Sequence, residues 1–354
     1  MRPWIHIIGG GLSGLSLAES LSKYPKFPGP VVISEPKITN LNERTFSFWF
    51  TKPEESFLRP QHVSDRWSIS GDGFQVKHRG QRFSYGTIMG KTVLSAALKA
   101  VEAHPQITIR EERVSSMPDA DHVFDCRPQG PDTFSLIQSF AGTEIVFHLP
   151  HGVESVGLMR SLEATSTGIR FLYLLPLSQR RLLIEHTEFT SVPADLDKLS
   201  EMNQVFIEQE FPLGAYEVTR VEAAHIPMGF KKRESAFGIP LGSRAGMARN
   251  ATGYGYRTIR YTTHRMAQEL IEKNEITPYR SPRLVSWADN LFIELIKNRP
   301  EAIPAVLAQL ARNMGPDNFA AFMTSYSLTD ILRVLWTAPM KPFLLAWFGL
   351  YRWI

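Results

Sequence analysis

Cysteine is nearly absent from the 354-residue sequence, which contains only Cys126. A single cysteine excludes an intrachain disulfide framework and a cysteine-rich metal site, and it favours a reducing cytoplasm. The ten histidines include no pair at helical ligand spacing with a nearby carboxylate, so we predict no metal site. Long apolar runs are also missing, and none approaches the roughly 20 residues that span a bilayer. The apolar run at 4–8 is strand-length and ends in glycines, which predicts no signal peptide.

A strong charge of either sign is missing as well. The 39 lysines and arginines exceed the 35 aspartates and glutamates by four, an excess too small to indicate a nucleic-acid partner. This balance suits contact with an anionic membrane surface, and it equally suits a mildly basic soluble enzyme. Hydrophobic residues make up 43% of the chain and charged residues 21%, which predicts a globular protein with two or more packed lobes.

The beginning of the chain follows a strand–helix–strand pattern. Residues 4–8 predict a strand, and apolar residues at helical spacing in 15–23 predict a helix. Prolines and a glycine at 24–30 end that helix, and residues 31–33 predict a second buried strand that ends at Glu35. Two such strands around a helix predict a parallel sheet with a right-handed crossover.

Three glycines, Gly9, Gly11 and Gly14, stand between the first strand and the helix in the spacing of a dinucleotide-binding turn. The first permits the sharp turn, the second lets the backbone approach a pyrophosphate, and the third lets helix and strand pack closely. Glu35, at the end of the second strand, is placed to accept hydrogen bonds from ribose hydroxyls and to repel a ribose phosphate. These residues alone leave NAD and FAD open.

Later segments predict a return to this sheet. Residues 88–104 predict a helix, and 107–109 and 123–124 predict short strands. Asp125 and Arg127 follow the second of these strands, a position that favours FAD. Their side chains are either flavin-site residues or structural loop residues.

A change of pattern follows. The stretch 145–190 is rich in strand-forming residues, and 171–177 and 181–187 predict a hairpin joined by 178–180. From residue 284 onward the pattern is helical.

Several segments carry motifs more specific than the glycine turn. They are Asn42-Glu-Arg-Thr-Phe-Ser-Phe-Trp49, Phe171-Leu-Tyr-Leu-Leu-Pro-Leu-Ser178 with Arg181-Leu-Leu-Ile-Glu-His-Thr187, Arg220-x-Glu222 with Ile226-Pro227, Gly242-Ser-Arg-Ala-Gly246 with Thr252-Gly253-Tyr254, and Ser325 to Leu332. Almost end to end, the sequence resembles the flavin-dependent lycopene cyclases of carotenoid biosynthesis, specifically their bacterial β-cyclase branch. It departs from the family pattern at His186, Ala224 and Asn250, where an acid, a glycine and a proline are usual.

The resemblance implies an α/β fold. It consists of a Rossmann-like FAD-binding domain of the glutathione-reductase type, an inserted β-rich substrate domain and a helical C-terminal region. The expected FAD-binding domain comprises 1–50, 87–130 and 236–270, the substrate domain 51–86 and 131–235, and the helical region 271–354.

The resemblance also implies a cofactor, FAD in its reduced form, with NADPH as the reductant. It places Arg244, Gly246, Thr252 and Gly253 in a flavin-contacting segment. Gly253 suits close approach of the backbone to a flavin ring because it has no Cβ. Arg244 is either such a contact or a residue that holds a phosphate or a loop.

Glu185 is the expected catalytic acid, since cyclisation of a polyene end begins with a proton delivered to a terminal double bond. Along an extended strand its side chain shares a face with Leu183 and Thr187, opposite Ile184. Burial on an apolar strand raises a carboxyl pKa and favours the neutral acid. The alternative is a strand-end ion pair with Arg181.

Glu222 is the second candidate catalytic residue, as a proton relay or a flavin-side hydrogen-bond acceptor, and a structural role remains equally open. His186 lies on the strand face opposite Glu185. We expect it to be a hydrogen-bonded residue rather than the catalytic base.

The expected activity is a redox-neutral, acid-initiated cyclisation of the ψ-ends of lycopene, or a related polyene, to β-ionone rings. One alternative is an FAD-dependent hydroxylase or prenyl-lipid reductase of the same fold. Another is a non-enzymatic protein that binds carotenoid or lipid.

A lipophilic substrate predicts contact with lipid. The apolar and aromatic segment 343–351, flanked by Lys341 and Arg352, is too short to cross a bilayer. It either lies in the membrane interface or packs on the protein's own core. We expect a protein of the bacterial cytoplasm, peripherally associated with the inner face of the membrane.

Overall fold

The computed structural model describes residues 2–38, 44–130, 133–211, 215–230 and 236–324. Its strands are Ile5–Ile8 (β1), Val31–Ser34 (β2), Thr45–Thr51 (β3), His62–Ser64 (β4), Arg66–Gly71 (β5), Phe74–Arg79 (β6), Phe83–Met89 (β7), Ile107–Arg110 (β8), His122–Asp125 (β9), Phe134–Phe147 (β10), Val156–Thr165 (β11), Gly168–Pro176 (β12), Arg181–Thr190 (β13), Tyr216–Phe230 (β14) and Ile239–Pro240 (β15). Its helices are Leu12–Leu21 (α1), Glu55–Leu58 (α2), Gly90–Glu102 (α3), Leu196–Glu210 (α4), Tyr256–Lys273 (α5), Arg283–Asn298 (α6) and Ile303–Thr324 (α7).

A parallel sheet in the order β15-β9-β1-β2-β8 forms the first layer of the fold. Every residue of β1 and β2 is buried, as expected for a parallel sheet covered on both faces. Helix α1 packs against α3 and α5. It is buried along nearly its whole length because serines, a glycine and an alanine let its neighbours approach closely.

The predicted strand–helix–strand unit is confirmed, with the helix beginning at Leu12, three residues earlier than the apolar periodicity indicated. The predicted helix at 88–104 and the strands at 107–109 and 123–124 are also present, as α3, β8 and β9. Helix α5 lies in a region without a secondary-structure prediction from the sequence. Its isoleucine, methionine and alanine side chains complete the same core.

A seven-stranded sheet in the order β14-β10-β13-β12-β11-β5-β6 forms the second lobe. The predicted hairpin is confirmed as β12 and β13, which pair antiparallel from Gly168↔Thr190 to Pro176↔Leu182. Strand β5 joins this sheet through a parallel pairing with β11. Segments far apart in the sequence are therefore hydrogen-bonded in one sheet. A smaller sheet, β3-β7-β4, is formed by strands that lie between β2 and β8 in the sequence.

Helices cover both faces of the large sheet. On one face α4 packs on β10 and β13, where Ile184 joins a core with Ile207. On the other face Leu183 belongs to the core that includes α6 and α7. Helix α7 has a break at Gly315, where φ is 68° and Pro316 follows. The resulting architecture is α/β with a β-rich second part and a helical end, as predicted.

Two predictions concern residues that the structure does not describe. The motif at 325–332 and the apolar segment at 343–351 both lie outside the described residues. Within the described ranges, no helix has the length and apolar character needed to cross a bilayer.

Candidate active site

In the turn between β1 and α1, each of the three glycines has a different steric environment. Gly9 has a φ of 104°, which side-chain-bearing residues rarely adopt. A Cβ on Gly14 would lie 2.0 Å from the carbonyl oxygen of Gly9, so helix and turn approach too closely for any side chain. A Cβ on Gly11 would meet nothing within 4 Å. Gly11 therefore borders open space at the first turn of α1, where unpaired backbone N–H groups favour an anion.

Glu35 lies beside this turn. Its Oε2 accepts a hydrogen bond from the backbone N–H of Gly10 at 2.9 Å, and its Oε1 accepts one from the N–H of Lys37 at 3.2 Å. The acid at the end of β2 is thus held at the edge of the turn, where the sequence predicted it.

Asp125 and Arg127 bind each other. The Arg127 Nε and Nη2 atoms donate to the Asp125 carboxylate at 2.9 and 2.8 Å, and the backbone N–H of Phe237 donates to it at 3.1 Å. Burial opposes ionisation of Asp125, but these hydrogen bonds hold its pKa below the usual value. Arg244 donates to the carbonyl oxygens of Arg127 and Pro128. These contacts favour the loop interpretation for all three side chains.

The segment 242–255 lies against the start of α1, where a Cβ on Gly242 would be 2.5 Å from Oγ of Ser13. Gly246 ends a short 3₁₀ helix with a φ of 72°, and Gly253 has a φ of 71°. A Cβ on Gly253 would lie 3.2 Å from Oε1 of Gln138 on β10. Gly253 therefore combines a positive φ with a close approach to the large sheet, while Thr252 beside it borders the cavity described next.

One cavity of about 910 Å³ joins the glycine turn to the large sheet. Gly11, Leu12 and Ser13 line it at one end, and Glu185 lies on the wall formed by the sheet. The rest of the wall is largely apolar and aromatic, and its members include Phe46, Trp49, Ile69, Phe140, Leu158, Met159, Phe171, Tyr173, Leu175, Leu183, Phe189, Tyr254, Trp287, Leu291, Phe292, Leu307, Leu310, Phe319 and Phe322. Of the predicted site residues, the cavity brings together Gly11, Thr252, Gly253 and Glu185. The side chains of Asp125 and Arg127 are not among its lining residues.

Glu185 projects into this cavity from β13. Leu183 and Thr187 line the cavity beside it, so the predicted alternation of faces along the strand is confirmed. Thr187 Oγ1 donates to Glu185 Oε1 at 3.2 Å, and no cationic side chain among the described residues is ion-paired with Glu185. Burial, and secondarily the negative charge of Glu222, raise the pKa of Glu185 well above its usual value. The predicted alternative is wrong, because Arg181 pairs with Glu144 instead.

Glu222 projects from β14 and is held by a different set of partners. Its Oε2 accepts hydrogen bonds from the backbone N–H of Thr45 at 2.9 Å, from Thr45 Oγ1 at 3.3 Å and from Arg220 Nη1. Glu222 is not among the cavity-lining residues. It is an ion-paired carboxylate on the same face of the sheet as Glu185, held by its own partners rather than exposed to a ligand.

His186 lies on the opposite face of β13. Its Nδ1 is 2.8 Å from Oδ1 of Asn203 on α4, and its backbone N–H donates to the same oxygen at 3.1 Å. Burial lowers its pKa. It is a neutral, hydrogen-bonded residue remote from the cavity, as expected.

A cluster of phenols beside Glu185 was not predicted from the sequence. Tyr85 Oη is hydrogen-bonded to Tyr173 Oη, and it lies 3.0 Å from Tyr254 Oη. Burial raises the pKa of Tyr254 to about 12, so this phenol stays neutral. Trp49 packs edge-on against Tyr85 and Tyr254. Tyr254 and Trp49 stand inside motifs used above, but only the fold places Tyr85 next to them.

A buried ion pair, also not predicted, fixes the segment that carries Gly253. Arg249 Nε donates to Asp289 Oδ2 at 2.9 Å, and its Nη1 donates to the carbonyl oxygen of Phe322 at 2.8 Å. Because Asp289 is on α6 and Phe322 on α7, one arginine ties the loop to both helices that cover the cavity. Two oppositely charged residues 40 positions apart carry no local sequence signal of this contact.

Comparisons with known proteins agree with this geometry. The sequence model of a family described as "Lycopene cyclase protein" matches residues 5–342. A lycopene beta-cyclase from Paracoccus sp. (strain N81106 / MBIC 01143) is 34% identical over 145 residues, which cover 38% of this chain and 37% of that relative. The alignment with this relative thus spans little more than a third of the relative's length.

Solved structures share the fold at low identity. A geranylgeranyl bacteriochlorophyll reductase-like protein from Thermoplasma acidophilum has a TM-score of 0.57 and 12% identity, with 96% of each chain covered. A flavoprotein/dehydrogenase from Cytophaga hutchinsonii has a TM-score of 0.56 and 10% identity, covering 99% of this chain and 100% of the other. The architecture is therefore one that flavoproteins use.

Proposed function

The chain belongs to the lycopene cyclase family, and on this premise we propose that it is an FAD-dependent cyclase. It closes the ψ-ends of lycopene, or of a related polyene, to β-ionone rings in carotenoid biosynthesis. The observation that carries the proposal is Glu185, a buried acid without a cationic partner among the described residues, on the wall of an apolar cavity that also reaches the glycine turn.

The acid step follows from the state of Glu185. Because its raised pKa favours the protonated carboxyl group, Glu185 donates a proton to the terminal double bond of the polyene. The carbocation formed there is attacked by the neighbouring double bond, and the ring carbon then loses a proton. The proton gained and the proton lost balance, so the product is an isomer of the substrate and the overall reaction is redox-neutral. The enzyme class is that of an intramolecular lyase or isomerase.

The cavity wall is suited to stabilising the carbocation intermediate. Aromatic faces attract a positive charge, and Trp49, Phe140, Phe171, Tyr173 and Tyr254 all border the cavity. An apolar wall also excludes water, which would otherwise capture the cation as an alcohol. These residues bind and orient the hydrocarbon chain, and they hold the cation until ring closure.

The glycine turn fits a dinucleotide. The open space at Gly11 and the hydrogen-bonded position of Glu35 suit a pyrophosphate at the start of α1 and an adenosine ribose beside β2. Gly9, Gly14, Thr252 and Gly253 shape the approach, and Asp125, Arg127, Arg244 and Gly246 position the loops around it. Bound FAD in its reduced form supplies an electron-rich ring that favours a nearby positive charge, and NADPH keeps it reduced.

The proposed domain assignment follows the parallel sheet and the seven-stranded sheet. We assign 1–50, 87–130 and 236–270 to FAD binding, 51–86 and 131–235 to the substrate, and 271–354 to a helical region, of which the described helices α6 and α7 cover the cavity. A C40 hydrocarbon partitions into lipid, which supports peripheral contact with the inner face of the bacterial membrane from the cytoplasm.

Expression of the chain in lycopene-accumulating bacteria tests the proposal. We expect conversion of lycopene to a monocyclic or bicyclic product of unchanged mass, measured by pigment chromatography and mass spectrometry. Glu185→Gln should lower conversion about 10²–10⁴-fold with flavin retained. Glu188→Gln is the matched control, because Glu188 is on the same strand but pairs with Arg170 away from the cavity.

The outcomes separate the alternatives. A product of altered mass would indicate a hydroxylase or a prenyl-lipid reductase, which the shared fold also accommodates. Unchanged lycopene in the presence of flavin-loaded protein, or full activity of Glu185→Gln, would refute the acid mechanism.

A further inference from the structure

Gly142 lies between the two candidate carboxylates in the large sheet. On β10 it is the register partner of Glu185 on β13, and on its other side it is the register partner of Glu222 on β14. Residues in register on neighbouring strands project to the same face of a sheet. The three positions therefore form one row, acid–glycine–acid, across adjacent strands.

The side-chain position of Gly142 is occupied by its neighbours. A Cβ at this position would lie 3.0 Å from Cγ of Glu222, 3.2 Å from Cδ1 of Leu183 and 3.4 Å from Oε2 of Glu185. The backbone of Gly142 does not require positive φ, so conformational freedom does not explain the glycine. A side chain at this position would instead press on both acids and on Leu183.

We propose that Gly142 is a positioning residue whose missing side chain lets Glu222 act on Glu185 as a fixed negative charge. This inference rests on the proposed function, in which Glu185 is the proton donor. Glu222 is then a charge partner of the acid, and it does not itself donate the proton to the substrate.

Several charged and titratable groups surround Glu185, and they determine which substitution should change its pKa most. On β14 the pair Arg220 and Glu222 face it, and on β10 Glu144 binds Arg220 and Arg181. On β12 and in the loop before α5, Tyr173 and Tyr254 are phenols whose own pKa values are raised by burial. Its own strand contributes only the Thr187 hydroxyl. Glu222 is thus the charged group whose removal most directly lets Glu185 ionise at lower pH.

The pH dependence of activity tests the inference. Activity requires protonated Glu185 and falls as pH rises through its pKa. We expect Glu222→Gln to move this alkaline limb to lower pH by about one unit or more. In a Gly142→Ala background, the same exchange should shift the limb much less, because the methyl group displaces the two carboxylates from their shared space.

Gly157→Ala provides the steric control. A Cβ on Gly157 of β11 would lie 3.1 Å from Cβ of Leu174, a similarly tight contact in the same sheet but against an aliphatic side chain. We expect the full Glu222→Gln shift to persist in this background. The proposal would be overturned if Glu222→Gln alone left the alkaline limb unshifted. It would also be overturned if Glu222→Gln shifted the limb fully in the Gly142→Ala background.

A second readout does not depend on activity. The infrared band of the protonated carboxyl group, assigned by its loss in Glu185→Gln, is titrated in the purified full chain. Glu222→Gln should lower the midpoint of this titration as it lowers the limb, and an unchanged midpoint contradicts the inference even if Gly142→Ala fails to fold. A failure of the proposed function is recognised separately, by the absence of cyclised product from the wild-type chain.

Discussion

The pKa values of two buried acids on neighbouring strands are shifted in opposite directions. Glu144 on β10 is 1% exposed and Glu185 on β13 is 8% exposed, so both side chains are withdrawn from the surface. Burial opposes ionisation of Glu144, but hydrogen bonds from Arg181 and Arg220 outweigh it and hold its pKa below the usual value. Among the described residues, Glu185 has only the Thr187 hydroxyl as its hydrogen-bond donor, and its pKa is raised.

In both acids burial favours the protonated form, and the two arginine partners of Glu144 reverse that preference. An acid held by two arginines is an anion that stabilises the fold. An acid on an apolar wall beside another anion is a proton donor. The two lie in adjacent rows of the same sheet, since Glu144 is in register with Leu183 and Gly142 with Glu185.

The largest expected effect on stability is that of Glu144→Gln. Removing the carboxylate charge leaves Arg220 with less compensation in a buried network, which should lower the free energy of unfolding by about 3 kcal/mol. Glu185→Gln replaces an uncharged acid and should change it by about 1 kcal/mol or less. Urea unfolding at pH 7 measures both. Equal losses in the free energy of unfolding would show that the two acids have the same ionisation state in the folded protein.

The pH dependence of stability should have opposite signs for the two acids. Glu185, whose folded pKa is raised, should destabilise the fold progressively as pH rises above about 4.5, by at most about 1.4 kcal/mol per pH unit. Glu144, whose folded pKa is lowered, contributes stability above that value and loses it as pH falls through its folded pKa. Unfolding of the wild type and of each Gln variant across pH gives the two contributions by difference. Slopes of the same sign would contradict the assignment.

The smallest effect is expected for Arg181→Met. The Arg181 side chain is 43% exposed, so water screens its ion pair, and Arg220 still binds Glu144. We expect a loss of about 0–1 kcal/mol in the same urea assay. A loss as large as that of Glu144→Gln would mean that the half-exposed arginine, and not Arg220, holds the charge.

The parts of the site that the sequence predicted depend on neighbours in the chain. Gly9, Gly11, Gly14 and Glu35 belong to one strand–turn–helix–strand unit, in which Gly9 has the positive φ and Gly14 the close packing expected of them. The cavity-facing position of Glu185 followed from strand alternation, which needs only adjacent residues. Local steric rules are sufficient for such features because the backbone geometry of one unit defines them.

Other features were decided only by the tertiary structure. The sequence left Asp125 and Arg127 open between flavin contact and loop, and their mutual ion pair favours the loop. The alternative of an ion pair between Glu185 and Arg181 was excluded only by the tertiary structure, because β10, which lies next to β13, places Glu144 beside Arg181.

The sequence by itself thus determined a dinucleotide-type turn, a βαβ unit, a β-hairpin and an acid on the hairpin's apolar face. Only the tertiary structure decided that Gly142 separates Glu185 from Glu222, that three tyrosines from distant segments meet, and that Arg249 joins a loop to two helices. The physical reason is that a carboxyl pKa depends on charges and dielectric within a few ångströms. Those surroundings come from strands that only folding brings into register.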